Sequence, residues 1–153
     1  SEFRRPVVIH QSGAKQIDAL RAAYEEADVQ ATLTPFIEDT VQAFAHADVV
    51  IARAGASTVT ELAAIGVAAI YVPFPHAVDD HQTTNAKFLV DAGGGWLVPQ
   101  AELTAQGLAD LLQTLTREKL LEIAEKAYAI RKTDATEKTV AICEQLTHLR
   151  GVA

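Results

Sequence analysis

Short apolar runs alternate with amphipathic helical patterns along the first hundred residues, and this alternation restricts the fold more than any other feature of the chain. "PVVIH" (Pro6–His10) reads as a strand, and the helical stretch after it puts Ile17, Leu20 and Tyr24 on one face at spacings of three and four. "VQATLT" (Val29–Thr34) is β-like, and "IEDTVQAFAHA" is a short helix with Val41 and Phe44 expected inward. "DVVIA" (Asp48–Ala52), "AAIYV" (Ala68–Val72) and "GWLV" (Gly95–Val98) read as three further strands, separated by the helices "STVTELAAIG" and "QTTNAKFLVDAG". From Thr104 onward the pattern is helical in three segments, with Asp134 placed to cap the last and Glu137 completing a capping-box pattern.

Five strands separated by helices imply right-handed βαβ crossovers. The predicted fold class is therefore α/β, a doubly wound, Rossmann-like parallel sheet covered on both faces. With 153 residues the chain is long enough for one domain with a substantial core. Its opening Ser-Glu-Phe reads as a cloning scar, so residues 1–5 are set aside as scar or linker and 6–150 as the domain. A net charge of −7 argues against a nucleic-acid partner. One cysteine, Cys143, gives no sign of an oxidising compartment, and no apolar run approaches the ~20 residues of a membrane span.

In such sheets ligands bind where strands end and helices begin. "RAGASTVTE" (Arg53–Glu61) occupies such a junction. Gly55 allows a tight bend, Ala56 is small, and Ser57 and Thr58 offer hydroxyls as well as N–H groups at a helix end that attracts anions. The plainer reading makes Ser57 or Thr58 an N-cap, with Glu61 completing a capping box. The functional reading has the turn hold a phosphate while Glu61 accepts hydrogen bonds from a ribose diol. A second concentration of polar residues, "PFPHAVDDHQTTNA" (Pro73–Ala86), follows the next strand. Asp79 or Asp80 can cap its helix, the two histidines and two aspartates allow a metal site without a clear ligand spacing, and the cluster His76, Asp79, Asp80, His81, Gln82 and Asn85 suits the hydroxyls of a sugar.

Taken together, "HQSG", "ADVVIARAGASTVTE" and "P-F-P-H-A-x-D-D-H-Q-x-x-N-A" resemble the donor half of the MurG family, bacterial glycosyltransferases that move N-acetylglucosamine from UDP-GlcNAc onto the lipid-linked muramyl-pentapeptide precursor of peptidoglycan. The resemblance runs from about Val7 to Leu149. It implies one half of a two-domain GT-B enzyme that inverts at the anomeric carbon, with no cofactor and no metal. It also implies that Phe36 packs near uracil while the backbone of Ile37 bonds its edge. Ala56, Ser57 and Thr58 would reach the diphosphate and sugar, Glu61 the ribose hydroxyls, and His81 and Gln82 the GlcNAc hydroxyls. The family often carries glutamine where His81 stands. Arg53 is near enough to assist a phosphate and is left unassigned.

The family's donor domain begins with a further βα unit bearing a Gly-Gly-Ser turn, which residues 1–10 do not supply, and its acceptor domain, with the proposed catalytic base and membrane-docking face, is also missing. No catalytic residue is therefore expected in this chain. The resemblance further implies an acceptor reached through the missing domain and a place at the cytoplasmic face of the bacterial inner membrane, with the present piece soluble. Without its first strand the sheet would leave unpaired edges, through which the chain could self-associate. Should the last helices belong against the other domain, an apolar stripe near Ile142 and Leu146 would stand uncovered. Competing readings are another GT-B enzyme, such as a lipid glycosyltransferase or a UDP-GlcNAc epimerase, and a non-catalytic nucleotide-binding module.

Overall fold

The computed structural model describes residues 5–76 and 78–150, without the side chains of residue 78 and residues 148–150. The reading of the first residues as a scar thus falls, up to residue 4, outside the described part. The element order is β1 (Ile9–Gln11), α1 (Ile17–Glu26), β2 (Thr32–Thr34), α2 (Thr40–Ala45), β3 (Val49–Ala52), α3 (Ala56–Ile65), β4 (Ala68–Tyr71), a 3₁₀ turn (Val78–Asp80), α4 (His81–Val90), β5 (Trp96–Leu97), α5 (Ala105–Gln113), α6 (Arg117–Ala129) and α7 (Ala135–Arg150). All strand pairings are parallel, as the alternation implies. They divide between two sheets rather than forming one, β1 beside β2 and β3-β4-β5 in that order. The chain correspondingly forms two compact units, residues 1–43 and 44–153.

In the first unit β1 pairs with β2 in the register Ile9↔Thr32, His10↔Leu33, Gln11↔Thr34. Ile17, at the start of α1, is its buried hydrophobic residue, while the three residues of β1 are all exposed. Val41 on α2 points outward at 59% exposure, contrary to the expected inward face.

The second unit holds the main core. β4 is buried throughout, in register with β3 from Val49↔Ala68 to Ala52↔Tyr71 and with β5 at Ile70↔Trp96. Val59, Leu62 and Ala63 of α3, Ala86 and Leu89 of α4 and Ala127 of α6 close over it. Tyr71 lies within this core with no partner for its hydroxyl among the described residues, and burial raises its pKa. α3 ends at Gly66, whose φ of 78° is a left-handed cap, with its N–H on the Leu62 carbonyl.

Thr104 and Thr116 cap α5 and α6, their hydroxyls accepting from the N–H of Gly107 and Lys119. The expected capping box on α7 takes another form. The Asp134 carboxylate is held by Lys138 Nζ at 2.8 Å, and this bond keeps its pKa below the ordinary aspartate value. Ile142 and Leu146 on α7 are 57% and 56% exposed.

The turn between α4 and β5 is packed too closely for side chains. A Cβ on Gly95 would stand 2.6 Å from the Ala69 carbonyl oxygen, whereas one on Gly13, at φ 81°, would meet nothing within 4 Å. Gly95→Ala should therefore cost about 1–3 kcal/mol through overpacking, and Gly13→Ala about 1 kcal/mol through its left-handed backbone alone. Thermal unfolding of the two variants checks the order.

Candidate functional site

The two motifs singled out in the sequence meet at the C-terminal ends of β3 and β4. α3 begins at Ala56, with Gly55 as its N-cap at φ −62°, ψ 149°, and no side-chain cap among the described residues. Ala56, Ser57 and Thr58 are thus the first three helical residues, and neither hydroxyl serves as the cap that the plainer reading assigns. A helix end without a side-chain cap leaves first-turn N–H groups available and carries the positive end of the helix dipole. Glu61 is exposed on the second turn of α3. Thr58 stands at the third helical position rather than at the cap, and Glu61 lies three residues beyond it, so the two do not form a capping box.

What fixes this turn comes from α4. Gln82 Oε1 accepts from the N–H of Ala54 at 3.2 Å and from the N–H of Phe74 at 2.9 Å. Asn85 Nδ2 donates to the Ala54 carbonyl at 3.1 Å. One side-chain amide therefore joins the end of the β3 loop to the start of the β4 loop, and a second holds the other side of the same residue. With its oxygen bonded twice, Gln82 presents only its Nε2 donors to a ligand.

Arg53 reaches across the same edge. Its Nη1 donates to the carbonyls of Val72 at 3.2 Å and Pro73 at 3.0 Å, its Nη2 donates to Gln100 Oε1 at 2.6 Å, and its guanidinium lies 5.6 Å from the centre of the Phe74 ring.

The entry to α4 is unusual. Asp79 and Asp80 both have left-handed backbones, at φ 53° and 51°. Asp80 is the N-cap residue by position, but its carboxylate accepts from Thr83 Oγ1 at 2.7 Å rather than from a backbone N–H. His81 is the exposed first residue of α4. Among the described residues no group of three or more His, Cys, Asp or Glu could hold a metal ion.

Phe36 and Ile37 belong to the first unit. Thr34 Oγ1 donates to the Phe36 carbonyl at 2.7 Å and accepts from its N–H at 3.3 Å, which pins the loop and leaves the ring 66% exposed. The Ile37 N–H donates to Gln11 Oε1 at 2.7 Å, so a side-chain amide already occupies the donor that sequence reasoning offered to a base edge. Sequence reasoning missed the roles of Gln11, Arg53 and Gln100. Each acts on a partner 19 to 47 residues away, which no local spacing reveals.

The sequence profile described as "Glycosyltransferase family 28 C-terminal domain" matches residues 4–145. The chain is 66% identical over 145 residues to a UDP-N-acetylglucosamine--N-acetylmuramyl-(pentapeptide) pyrophosphoryl-undecaprenol N-acetylglucosamine transferase of Acidovorax sp. (strain JS42), covering 95% of this chain and 36% of that protein. A protein of the same description from Aromatoleum aromaticum is 54% identical over 143 residues, which cover 94% of this chain and 40% of the relative. The crystal structure of Acinetobacter baumannii MurG superposes with a TM-score of 0.87 at 42% identity, covering 94% of this chain and 45% of that one. The chain thus spans less than half the length of each of these proteins.

Asn85→Ala removes the bond to the buried Ala54 residue and should lower stability by about 1 kcal/mol, read as a melting temperature lower by about 2–4 °C. An unchanged melting temperature would show that the Ala54 carbonyl does not depend on α4.

Proposed function

Because the chain belongs to the glycosyltransferase family 28 C-terminal domain family, we propose that it is the donor-binding part of an enzyme that transfers N-acetylglucosamine from UDP-GlcNAc to undecaprenyl-diphospho-muramyl-pentapeptide in peptidoglycan synthesis. The observation that carries this reading is the N-terminus of α3. It has no side-chain cap and is held in place by Gln82 and Asn85, an arrangement suited to a diphosphate. The activity for which the relatives are named supports the same substrate pair.

In this proposal Ala56, Ser57 and Thr58 receive the diphosphate and sugar, Glu61 accepts from the ribose diol, and His81 and Gln82 meet the GlcNAc hydroxyls. Phe36 packs near uracil, with Ile37 at its edge. As the acceptor hydroxyl forms its bond to the anomeric carbon, the bond to UDP breaks and its electron pair leaves with the diphosphate. The α3 N-terminus stabilises that charge, so the step needs no metal or cofactor from this chain. The proton of the acceptor hydroxyl passes to a base, which we assign to another part of the whole protein, along with lipid binding and attachment at the inner face of the bacterial membrane. Among the described residues no helix is long and apolar enough to cross a membrane.

Calorimetric titration of the chain with UDP and UDP-GlcNAc tests the reading. Both should bind, and Glu61→Ala should weaken both by about 10- to 100-fold, the worth of charge-assisted bonds to a diol. No binding by the folded wild-type chain would sink it. Gln11→Ala provides a separate check on the uracil contact. If the base must displace Gln11 from the Ile37 N–H, the variant should bind UMP about fivefold more tightly, the worth of one net hydrogen bond. Weaker binding would mean that Gln11 itself touches the base.

A further inference from the structure

An arginine at the mouth of an anion site would ordinarily be assigned to the phosphate, but the guanidinium of Arg53 is already engaged. It has five N–H groups. Both hydrogens of Nη1 serve the Val72 and Pro73 carbonyls, and Nη2 serves Gln100. What remains is the Nε hydrogen and one on Nη2, after a fork that ties together the segments following β3, β4 and β5. Its carbonyl partners lie immediately before Phe74, whose N–H is one of the two donors that orient Gln82.

We propose that Arg53 is a positioning residue for the sugar end of the donor. By fixing the Val72–Pro73 carbonyls it places the Phe74 N–H against Gln82 Oε1, and so directs the remaining donors of Gln82 toward the sugar without itself touching the ligand. The inference rests on the donor-binding reading above and extends it to a residue with no assigned role. Gln100 is part of the same device. It lies beyond β5, is exposed, and accepts the third arm of the fork. The planar geometry is what matters, since lysine keeps the charge but not a rigid fork that can serve both carbonyls and Gln100 together.

The test compares wild type, Arg53→Lys and Gln100→Ala in two measurements: calorimetric binding of UDP and of UDP-GlcNAc, and hydrogen exchange of the Phe74 amide in the ligand-free chain. Each variant should lose about fivefold in affinity for UDP-GlcNAc, one net hydrogen bond's worth, while UDP affinity stays unchanged. Phe74 exchange should be faster in both variants. An equal loss for UDP and UDP-GlcNAc in Arg53→Lys would overturn the proposal in favour of a direct phosphate contact. Unchanged UDP-GlcNAc affinity in both variants, or unchanged Phe74 exchange, would also overturn it. Gln100→Ala, a surface change that keeps the arginine, decides the matter if Arg53→Lys does not fold. A wild-type chain that binds neither ligand overturns the donor reading itself, and Phe74 exchange still reports whether the clamp exists.

Discussion

The backbone of Ala54 is held on both sides by side chains of another helix, and the arrangement of the site follows from this. Ala54 is fully buried, one residue before the N-cap of α3. Buried peptide groups need partners, and here Gln82 supplies one for the N–H and Asn85 one for the carbonyl, from 28 and 31 residues along the chain. Glycine in place of a Ser or Asp cap costs a helix only about a few tenths of a kcal/mol. The tertiary bracket fixes the approach to the cap, so glycine can stand there and the first-turn N–H groups stay open. A Ser or Asp cap would have secured the helix and occupied the donors that the proposed ligand requires.

The same economy explains the two roles of Gln82. Its oxygen bridges two loops, and its nitrogen is the group that the proposed function gives to recognition. An amide divides this way because acceptor and donor sit on opposite arms of one rigid plane. Arg53 extends the network to the segment after β5. The three segments at the C-terminal ends of β3, β4 and β5 are thereby connected through side chains, which is how loops can hold a binding geometry that strands and helices alone do not impose.

Parts of this were legible in the sequence. β4 is legible nearly to the residue because a strand buried on both faces is a continuous apolar run, and β3 carries a β-branched apolar signal although Ile51 is 45% exposed. β1 begins at Ile9, later than the apolar run Pro6–His10, since strand limits are set by pairing rather than hydrophobicity. Val7, inside the apolar run, is almost wholly exposed, and the ladder instead joins Ile9–Gln11 to Thr32–Thr34. Val41 was misjudged because the short α2 buries none of its residues. The candidate site is legible as two strand-to-helix junctions rich in small and polar residues. The bracket around Ala54 is not, because hydrogen bonds spanning some thirty residues leave no periodic trace. Ser57 and Thr58 were plausible caps for a related reason. Local preference ranks serine above glycine and threonine level with it, so the position Gly55 takes is not decided by local preference alone.

The sheet edges carry the reasoning one step further. β3 has β4 on one side and no hydrogen-bonded strand on the other among the described residues. Its residues, Val49–Ala52, include none of the charges or prolines that usually protect an edge, and Ile51 is 45% exposed. β-Branched apolar residues of this kind belong to interior strands of parallel sheets. If the chain is the donor-side part of a larger protein, a further strand would give this edge a partner in the whole molecule. A parallel strand added there would end beside Arg53, Ala54 and Gly55, so the loop following it would reach the strand ends where the α3 N-terminus lies open. The edge and the site would then be completed by the same segment, since both terminate at the end of β3.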